Sequence, residues 1–293
     1  MSTAGLRLPP RRVGVVVKPS NPDAVALGRR VLRELAARGV AGIVDVESAE
    51  VLGIAPGPPR ALLGREVDVV IVLGGDGTFL SVTRGCPSTV PVAGVNLGTL
   101  GFLTEHAPER TFQLLDDVLA ARVEIEQRER LLVEVEGGSG ERSYLVLNDV
   151  VITKAALARI VTIAVDIDGE FLTRYRGDGL IMATPTGSTA YNLSAGGPIV
   201  HPGLSSLLIT PICSHTLTDR PLAVPLTSRV RACLEPGEAE VYLTLDGQRG
   251  FPFSPGMSVS VSRSAEPLSL IRERSSSFFS ILHQKLKWGE RES

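Results

Sequence analysis

The residues that decide the fold are Val67 to Leu80, VDVVIVLGGDGTFL. Between Val69 and Leu73 no side chain is polar and most are β-branched, the texture of a strand covered on both faces in a parallel sheet. Gly74, Gly75 and Gly77 follow at its carboxyl end. They free the backbone for conformations with φ > 0 and leave room for a ligand against the main chain, and Thr78 to Arg84 can begin a helix. Asp76 then stands at the carboxyl edge of a sheet, where open α/β folds bind ligands. Such glycines suit a phosphate. A carboxylate repels one, unless a metal lies between them or the carboxylate faces a hydroxyl whose proton it takes. The same residues also fit an ordinary strand-to-helix turn with an exposed aspartate, so the rest of the chain must decide.

Toward the N-terminus, Val13 to Val17 reads as a strand, and Asn21, Pro22 and Asp23 as the capped start of a helix. Val25, Leu32 and Leu35 give that helix an apolar face and Gly39 its end. Val40 to Val46 is a second strand, and the Pro- and Gly-rich run from Gly53 to Gly64 a loop. Beyond the opening stretch comes a strand at Pro91 to Val95, ending in NLGTLGFLTE from Asn96 to Glu105. This alternation predicts a Rossmann-like α/β domain with a parallel sheet over 1–107. A helix starting at Pro108 and Glu109 follows, with Phe112, Leu115, Val118 and Leu119 on its apolar side.

After Arg122 the pattern alternates, as at Leu132 to Glu136, Ile160 to Ile167 and Val241 to Leu245. Turn signals lie at GGSG from Gly137, at Asp168-Gly169 and at Pro236-Gly237. The region 108–273 is expected to be an antiparallel β-rich, sandwich-like domain. In 274–293, Phe278, Ile281, Leu282 and Leu286 recur at helical spacing, which predicts an amphipathic C-terminal helix packing back on the first domain.

Composition narrows the function. With 43% hydrophobic and 21% charged residues, the 293-residue chain can build real cores. A net charge of -2 gives no overall pull toward nucleic acid or an anionic membrane, so an anionic ligand must be met by a local arrangement. Cys86, Cys213 and Cys233 are far apart and in no metal-binding spacing; they read as buried free thiols. His106, His201, His215 and His283 are scattered, without the spacing of a zinc site or a triad. The start, MSTAGLRLPPRR, lacks the apolar core of a signal peptide, and no run approaches the roughly 18 apolar residues of a membrane span. A soluble, cytoplasmic protein is the expectation.

The longest polar motif is RGDGLIMATPTGSTAYNLSAGGP, Arg176 to Pro198. Thr184, Thr186, Ser188, Thr189 and Ser194 can address sugar hydroxyls and phosphates, and Tyr191 offers a flat face for a base. Asn148 and Asp149 interrupt the strand Tyr144 to Ile152; they fit a turn or bulge, and equally a grip on a carboxamide or ribose diol. Arg159 and Arg176 are candidate anion contacts, and Asp246, Gly247 and Gln248 read first as a hairpin turn.

GGDGTFL at Gly74 to Leu80, NLGTLGFLTE, GDGLIMATPTGSTAYNLSAGGPIV at Gly177 to Val200 and SHTLTDRPL at Ser214 to Leu222 together resemble the NAD kinase family, in the same order over most of the chain. Lipid kinases and phosphofructokinases have related GGDG turns but nothing like the long block. The resemblance implies phosphoryl transfer from ATP, or polyphosphate in some members, to the adenosine 2′-hydroxyl of NAD, giving NADP, with a divalent cation, Mg2+ being the expected one. Asp76 would activate the hydroxyl. Gly74, Gly75 and Gly77 would form the phosphate-donor turn, with Arg84 as a basic contact. NAD would be held by Asp76, Gly77, Asn148, Asp149, Arg159, Arg176, Asp178, Thr189, Ala190, Tyr191, Asn192, Leu193, Ser194 and Gln248. No metal ligands are assigned.

A homodimer or homotetramer is implied as well, and the active site is expected in the cleft between the domains. Two positions depart from the family: Asp149 stands where Glu is usual, and Ser214 where Pro is frequent. The competing classes are a kinase for a lipid or sugar and a non-catalytic NAD sensor.

Overall fold

The computed structural model describes residues 9–137, 142–154, 160–216, 218–236 and 241–288. Arg159, Leu217, Gly237, most of the GGSG turn and the first eight residues lie outside them. The chain divides into two compact units, one made of Met1–Gln127 with Leu268–Ser293 and one of Arg128–Pro267.

The first unit alternates strands and helices: β1 (Arg12–Val17), α1 (Pro22–Ala37), β2 (Ala41–Val44), α2 (Val46–Leu52), α3 (Arg60–Glu66), β3 (Val69–Gly74), α4 (Asp76–Thr83), β4 (Val92–Asn96), α5 (Thr111–Leu119) and β5 (Glu124–Arg128). The apolar run of the opening stretch is β3. All six of its residues are buried, and it pairs in parallel with β1 on one side and β4 on the other. Ile71 and Leu73 meet Val15, Val31, Leu35 and Leu115 in one core. Each such side chain contributes roughly 1.5–3 kcal/mol by leaving water. Asn21 caps α1, its Oδ1 accepting from the N–H groups of Asp23 and Ala24. The buried stripe of α1 is Ala24, Leu27, Val31 and Leu35, which leaves Val25 and Leu32 at its edge.

Part of the expected loop from Gly53 to Gly64 is helical. Asp45 caps α2 by accepting from the Ser48 N–H, Gly53 ends it at φ 70, and α3 begins at Arg60. Those two capping residues were the signal for α2. The second strand is correspondingly shorter than Val40 to Val46.

The domain boundary also moves. A late strand, β18 (Leu268–Arg272), lies between β4 and β5 in the first sheet, so α5, β5 and β18 belong to the first unit rather than to the β-rich one. A one-strand return of the chain leaves no mark in local periodicity. The last helix, α7 (Phe278–Leu286), buries Ile281 and Leu282 and starts with a capping box between Ser277 and Ser280.

The second unit contains β6 (Leu131–Glu136), β7 (Arg142–Val146), β8 (Asp149–Lys154), β9 (Val161–Ile167), β10 (Glu170–Gly177), β11 (Gly179–Ala183), a short helix α6 (Tyr191–Ser194), β12 (Ser206–Ile212), β13 (Leu222–Pro225), β14 (Val230–Leu234), β15 (Val241–Leu245), β16 (Arg249–Phe253) and β17 (Ser258–Arg263). They form two sheets, β10-β9-β14-β17-β6-β7 and β13-β12-β11-β8-β15-β16, with antiparallel pairings throughout those described. Val133, Ile163 and Val165 of one sheet share a core with Ile152, Leu180, Met182 and Leu243 of the other, which makes the unit a sandwich.

Two of the places where the chain leaves one sheet for the other are Leu147-Asn148, between β7 and β8, and Asp178, between β10 and β11. The polar interruptions of the alternating pattern are therefore corners. Of the three cysteines only Cys86 is buried; Cys213 is exposed and Cys233 lies between.

Candidate active site

Parallel pairing of β3 with β4 sets Gly74 beside Asn96, so the glycine turn and the NLGTLGFLTE loop leave the same edge of the sheet. The loop closes where His106 bridges to Val95, and Asn96 braces its interior, its Nδ2 donating to the Thr99 carbonyl and its Oδ1 accepting from Gly98. Asp76 reaches into this loop. Its Oδ1 accepts from the N–H of Leu103 at 3.1 Å, the N–H of Thr104 at 3.1 Å and the Thr104 hydroxyl at 2.9 Å. Its Oδ2 accepts from the N–H of Phe102 at 2.8 Å.

So close an approach requires Gly101. A Cβ there would sit 2.0 Å from Asp76 Oδ1 and 2.3 Å from Thr104 Oγ1. The link between the two motifs was missed from sequence; its signal was Gly101, the second glycine of the loop, with Thr104 three residues on.

The freedom for φ > 0 goes unused at Gly74, Gly75 and Gly77: none is in the left-handed region, and Gly75 is extended at φ -118. The turn needs no reversal there, because the helix starts two residues early, at Asp76 itself. Glycine serves clearance instead. A Cβ on Gly74 would lie 2.8 Å from Thr78 Oγ1, while Gly75 faces open space. No side chain caps the first turn of α4, so its N–H groups point outward at the positive end of the helix, beside Asp76. Arg84 caps the opposite end, about 12 Å along the helix axis from Asp76 at roughly 1.5 Å per residue, and is not brought to the turn.

In the second unit the sequence-predicted residues gather around the first corner. Asp246 is buried and accepts at Oδ1 from the N–H groups of Leu147 at 3.1 Å, Asn148 at 2.7 Å and Asp149 at 3.4 Å. It sits in the hairpin turn between β15 and β16 that also carries the exposed Gln248, with φ 52 at Asp246 and 60 at Gly247. The hairpin reading was right and incomplete, since it gave the side chain no task. From the other side Thr184 donates its N–H to the Asn148 carbonyl and its hydroxyl to the Leu147 carbonyl. Gly187 packs so tightly that a Cβ would be 2.1 Å from the Asn148 oxygen.

Two groups at this corner carry unused capacity. Asn148 Oδ1 is buried with no hydrogen-bond partner among the described residues. Burial, and next the charge of Asp246, push the Asp149 carboxyl up to about 7. The segment from Thr189 to Ser194 follows directly. Tyr191 is 43% exposed, offering its ring, and Ser194 is exposed as well. Thr189 and Ala190 are half-buried, as is Leu193. Asn192 differs: its amide is fully buried and used internally, donating to the carbonyls of Ser188 and Pro198 and accepting from the Thr210 hydroxyl.

Asp178 and Arg176 stand apart. β8 runs alongside β11 from Asp149, opposite Ala183, to Thr153, opposite Gly179. Asp178 is therefore about 17 Å from the Asn148 corner at roughly 3.4 Å per residue. It pairs with Lys154 at 2.8 Å, and Arg176 is exposed nearby. His106 is structural: its buried ring faces the Ile271 carbonyl and Glu273, and burial lowers its pKa. Among the described residues no group of three His, Cys, Asp or Glu side chains could hold a metal.

An α/β unit with an acid at a helix start and a β sandwich match family models of one class of phosphotransferase, the ATP-NAD kinases. Residues 59–123 match the ATP-NAD kinase N-terminal domain and 147–273 the ATP-NAD kinase C-terminal domain. The chain is 46% identical over 284 residues to the NAD kinase of Syntrophobacter fumaroxidans, covering 96% of this chain and 99% of that one. To the NAD kinase of Geobacter sulfurreducens it is 43% identical over 283 residues, covering 96% and 100%. Its fold is similar to yeast NADH kinase complexed with NADH, at TM-score 0.89 and 26% identity over 98% of this chain and 90% of that one. An NAD kinase from Archaeoglobus fulgidus in complex with ATP aligns at TM-score 0.74 and 25% identity, over 93% and 98%. The chain belongs to the NAD kinase family.

Proposed function

We propose that the chain transfers the terminal phosphoryl group of ATP to the adenosine 2′-hydroxyl of NAD, with Asp76 as the group that takes the hydroxyl proton. The observation that carries this reading is that Asp76 is half-buried beside the open space at Gly75, with its two oxygens unequally used. Oδ1 has three donors and is fixed; Oδ2 has one, from Phe102, and keeps a lone pair for an incoming hydroxyl. The carboxylate is thus oriented before substrate arrives.

The acceptor's proton moves to Oδ2 late, as bond formation to phosphorus makes it acidic. A positioned base of this kind is worth roughly 100- to 10,000-fold. The remainder comes from alignment and from the uncapped N–H groups of α4, which favour the donor's phosphates together with Gly74, Gly75 and Gly77. Arg84, at the far end of α4, is left out of this set.

For NAD, the free Asn148 Oδ1 suits an amide or hydroxyl donor, and Asp149 suits a hydroxyl. Tyr191 supplies a stacking face, while Thr189, Ala190, Leu193, Ser194, Gly77 and Gln248 are proposed as further contacts. Asn192 would contribute through its backbone position only. Arg176 and Asp178 are proposed to hold a more distant part of the extended dinucleotide, and Arg159 an anionic part. The divalent cation is proposed to arrive bound to ATP, and no step is assigned to it. A homodimer or homotetramer in the cytoplasm is the proposed setting.

The test is Asp76→Asn, assayed for NAD binding by calorimetry and for NADP formation in a coupled assay with ATP or polyphosphate as donor and NAD or NADH as acceptor. Binding retained with turnover lowered at least 100-fold is expected. Near-normal turnover sinks the role of Asp76.

A further inference from the structure

We propose that α7 is a positioning element for Asp76, acting through Phe102; the inference rests on the reading of Asp76 as the base. Phe102 gives Asp76 Oδ2 its one donor among the described residues, at 2.8 Å. The direction of the free lone pair on Oδ2 therefore depends on where the Phe102 backbone is held.

Behind that backbone the Phe102 ring lies against α7. Its centroid is 6.2 Å from that of Phe278 at an interplanar angle of 39°, and the Lys285 ammonium stands 4.6 Å from it. Phe278 and Lys285 are seven residues apart, two helical turns, so one face of α7 sets a ring and a cation on the same aromatic side chain.

Nothing in the attachment of α7 requires this. The helix is started by the capping box of Ser277 with Ser280 and docked by the buried Ile281 and Leu282. Phe278 and Lys285 are spent on Phe102 in addition. Leu103, the next residue, is 2% exposed and anchors the loop from within, which leaves Phe102 as the part whose placement α7 can decide. Ordinary core packing would bury α7 without aiming two unlike groups at the residue that donates to the reactive oxygen.

The experiment uses the full chain with Phe278→Ala, Phe278→Tyr and Phe102→Leu, each also combined with Asp76→Asn. Replacing either phenylalanine leaves the Phe102 N–H in place and removes only its support. Phe278→Ala is expected to lower kcat about tenfold while the KM values for NAD and ATP stay within about twofold. Phe278→Tyr, which keeps the ring, restores kcat, and Phe102→Leu falls with Phe278→Ala. In the Asp76→Asn background Phe278→Ala costs nothing further, because the group being positioned is gone.

An unchanged kcat in both Phe278→Ala and Phe102→Leu overturns the inference. So does an equal loss with and without Asp76, which would place the effect elsewhere. Should Phe278→Ala fold poorly, Phe102→Leu alone decides. Full activity in Asp76→Asn itself is a separate outcome, failing the reading of Asp76.

Discussion

Replacing Asp149 by asparagine isolates a carboxyl held well above its ordinary value at the Asn148 corner. In the native protein burial and the neighbouring Asp246 charge let this carboxyl keep its proton up to about 7, against an ordinary value of 3.8. Between those values the native state binds more protons than the unfolded chain. The contribution of Asp149 to stability must therefore fall as pH rises through the window and level off above it. At about 1.4 kcal/mol per pH unit the whole displacement amounts to about 4 kcal/mol, of which about 3 kcal/mol falls between pH 5 and pH 8. Asparagine has a similar shape and does not titrate, so any change it makes to packing or hydrogen bonding adds a constant.

The assay is urea denaturation of both proteins at pH 5, 6, 7 and 8. The stability of the native protein relative to the Asp149→Asn variant should drop by about 3 kcal/mol across that series. A difference that stays flat would mean Asp149 ionises in the fold as in the open chain. One that grows with pH would mean a favourable partner meets its charge. Either refutes the account of the corner.

Three further outcomes follow from the same geometry. Gly101→Ala places a methyl 2.0 Å from Asp76 Oδ1, so the loop must shift; turnover should fall about 100-fold, with about 1–3 kcal/mol of stability, read by steady-state kinetics and thermal unfolding. Asp246→Ala leaves the N–H groups of Leu147, Asn148 and Asp149 without their acceptor, and should cost about 3–5 kcal/mol in urea while raising the KM for NAD. Asp76→Asn should lose turnover and keep NAD, as the coupled assay and calorimetry will read.

The fold was legible where residues act locally. Val69 to Leu73 announced a buried strand because covering both faces leaves no place for a polar side chain, and Asn21-Pro22-Asp23 announced a helix start because each residue answers a separate need of the first turn. What escaped were consequences of distant pairing. Leu268–Arg272 alternates like any strand of the sandwich, yet it inserts beside β4, and only the sheet itself reveals that. At the site, Asp76 was singled out, but its partners are three backbone N–H groups and the Thr104 hydroxyl, 26 to 28 residues away, and the N–H groups carry no side-chain signature. Asp246 was read as turn chemistry for the same reason. Arg176 and Asp178 were grouped with Asn148 through the family resemblance, and the length of a strand separates them in space.

Asp76 and Asp246 also show why motif reading alone could not rank the aspartates. Both hold a neighbouring loop by the same device: one oxygen takes three donors, and the other also takes an N–H, from Phe102 at Asp76 and from Leu147 at Asp246. Hydrogen bonding does not separate them; burial does. Asp246 is 4% exposed at a corner of the sandwich, where a hydroxyl has no approach, and its carboxylate is a bracket for Asn148 and Asp149. Asp76 is half-buried at the start of a helix, beside a glycine that faces open space, so its second oxygen can meet a substrate. Asp149 is the third case, buried next to Asp246 and pushed toward its neutral form, able to donate to a ligand oxygen below about pH 7. One residue type suits the role of base, brace or donor according to how deeply it is buried, which charge stands beside it and whether anything can reach it.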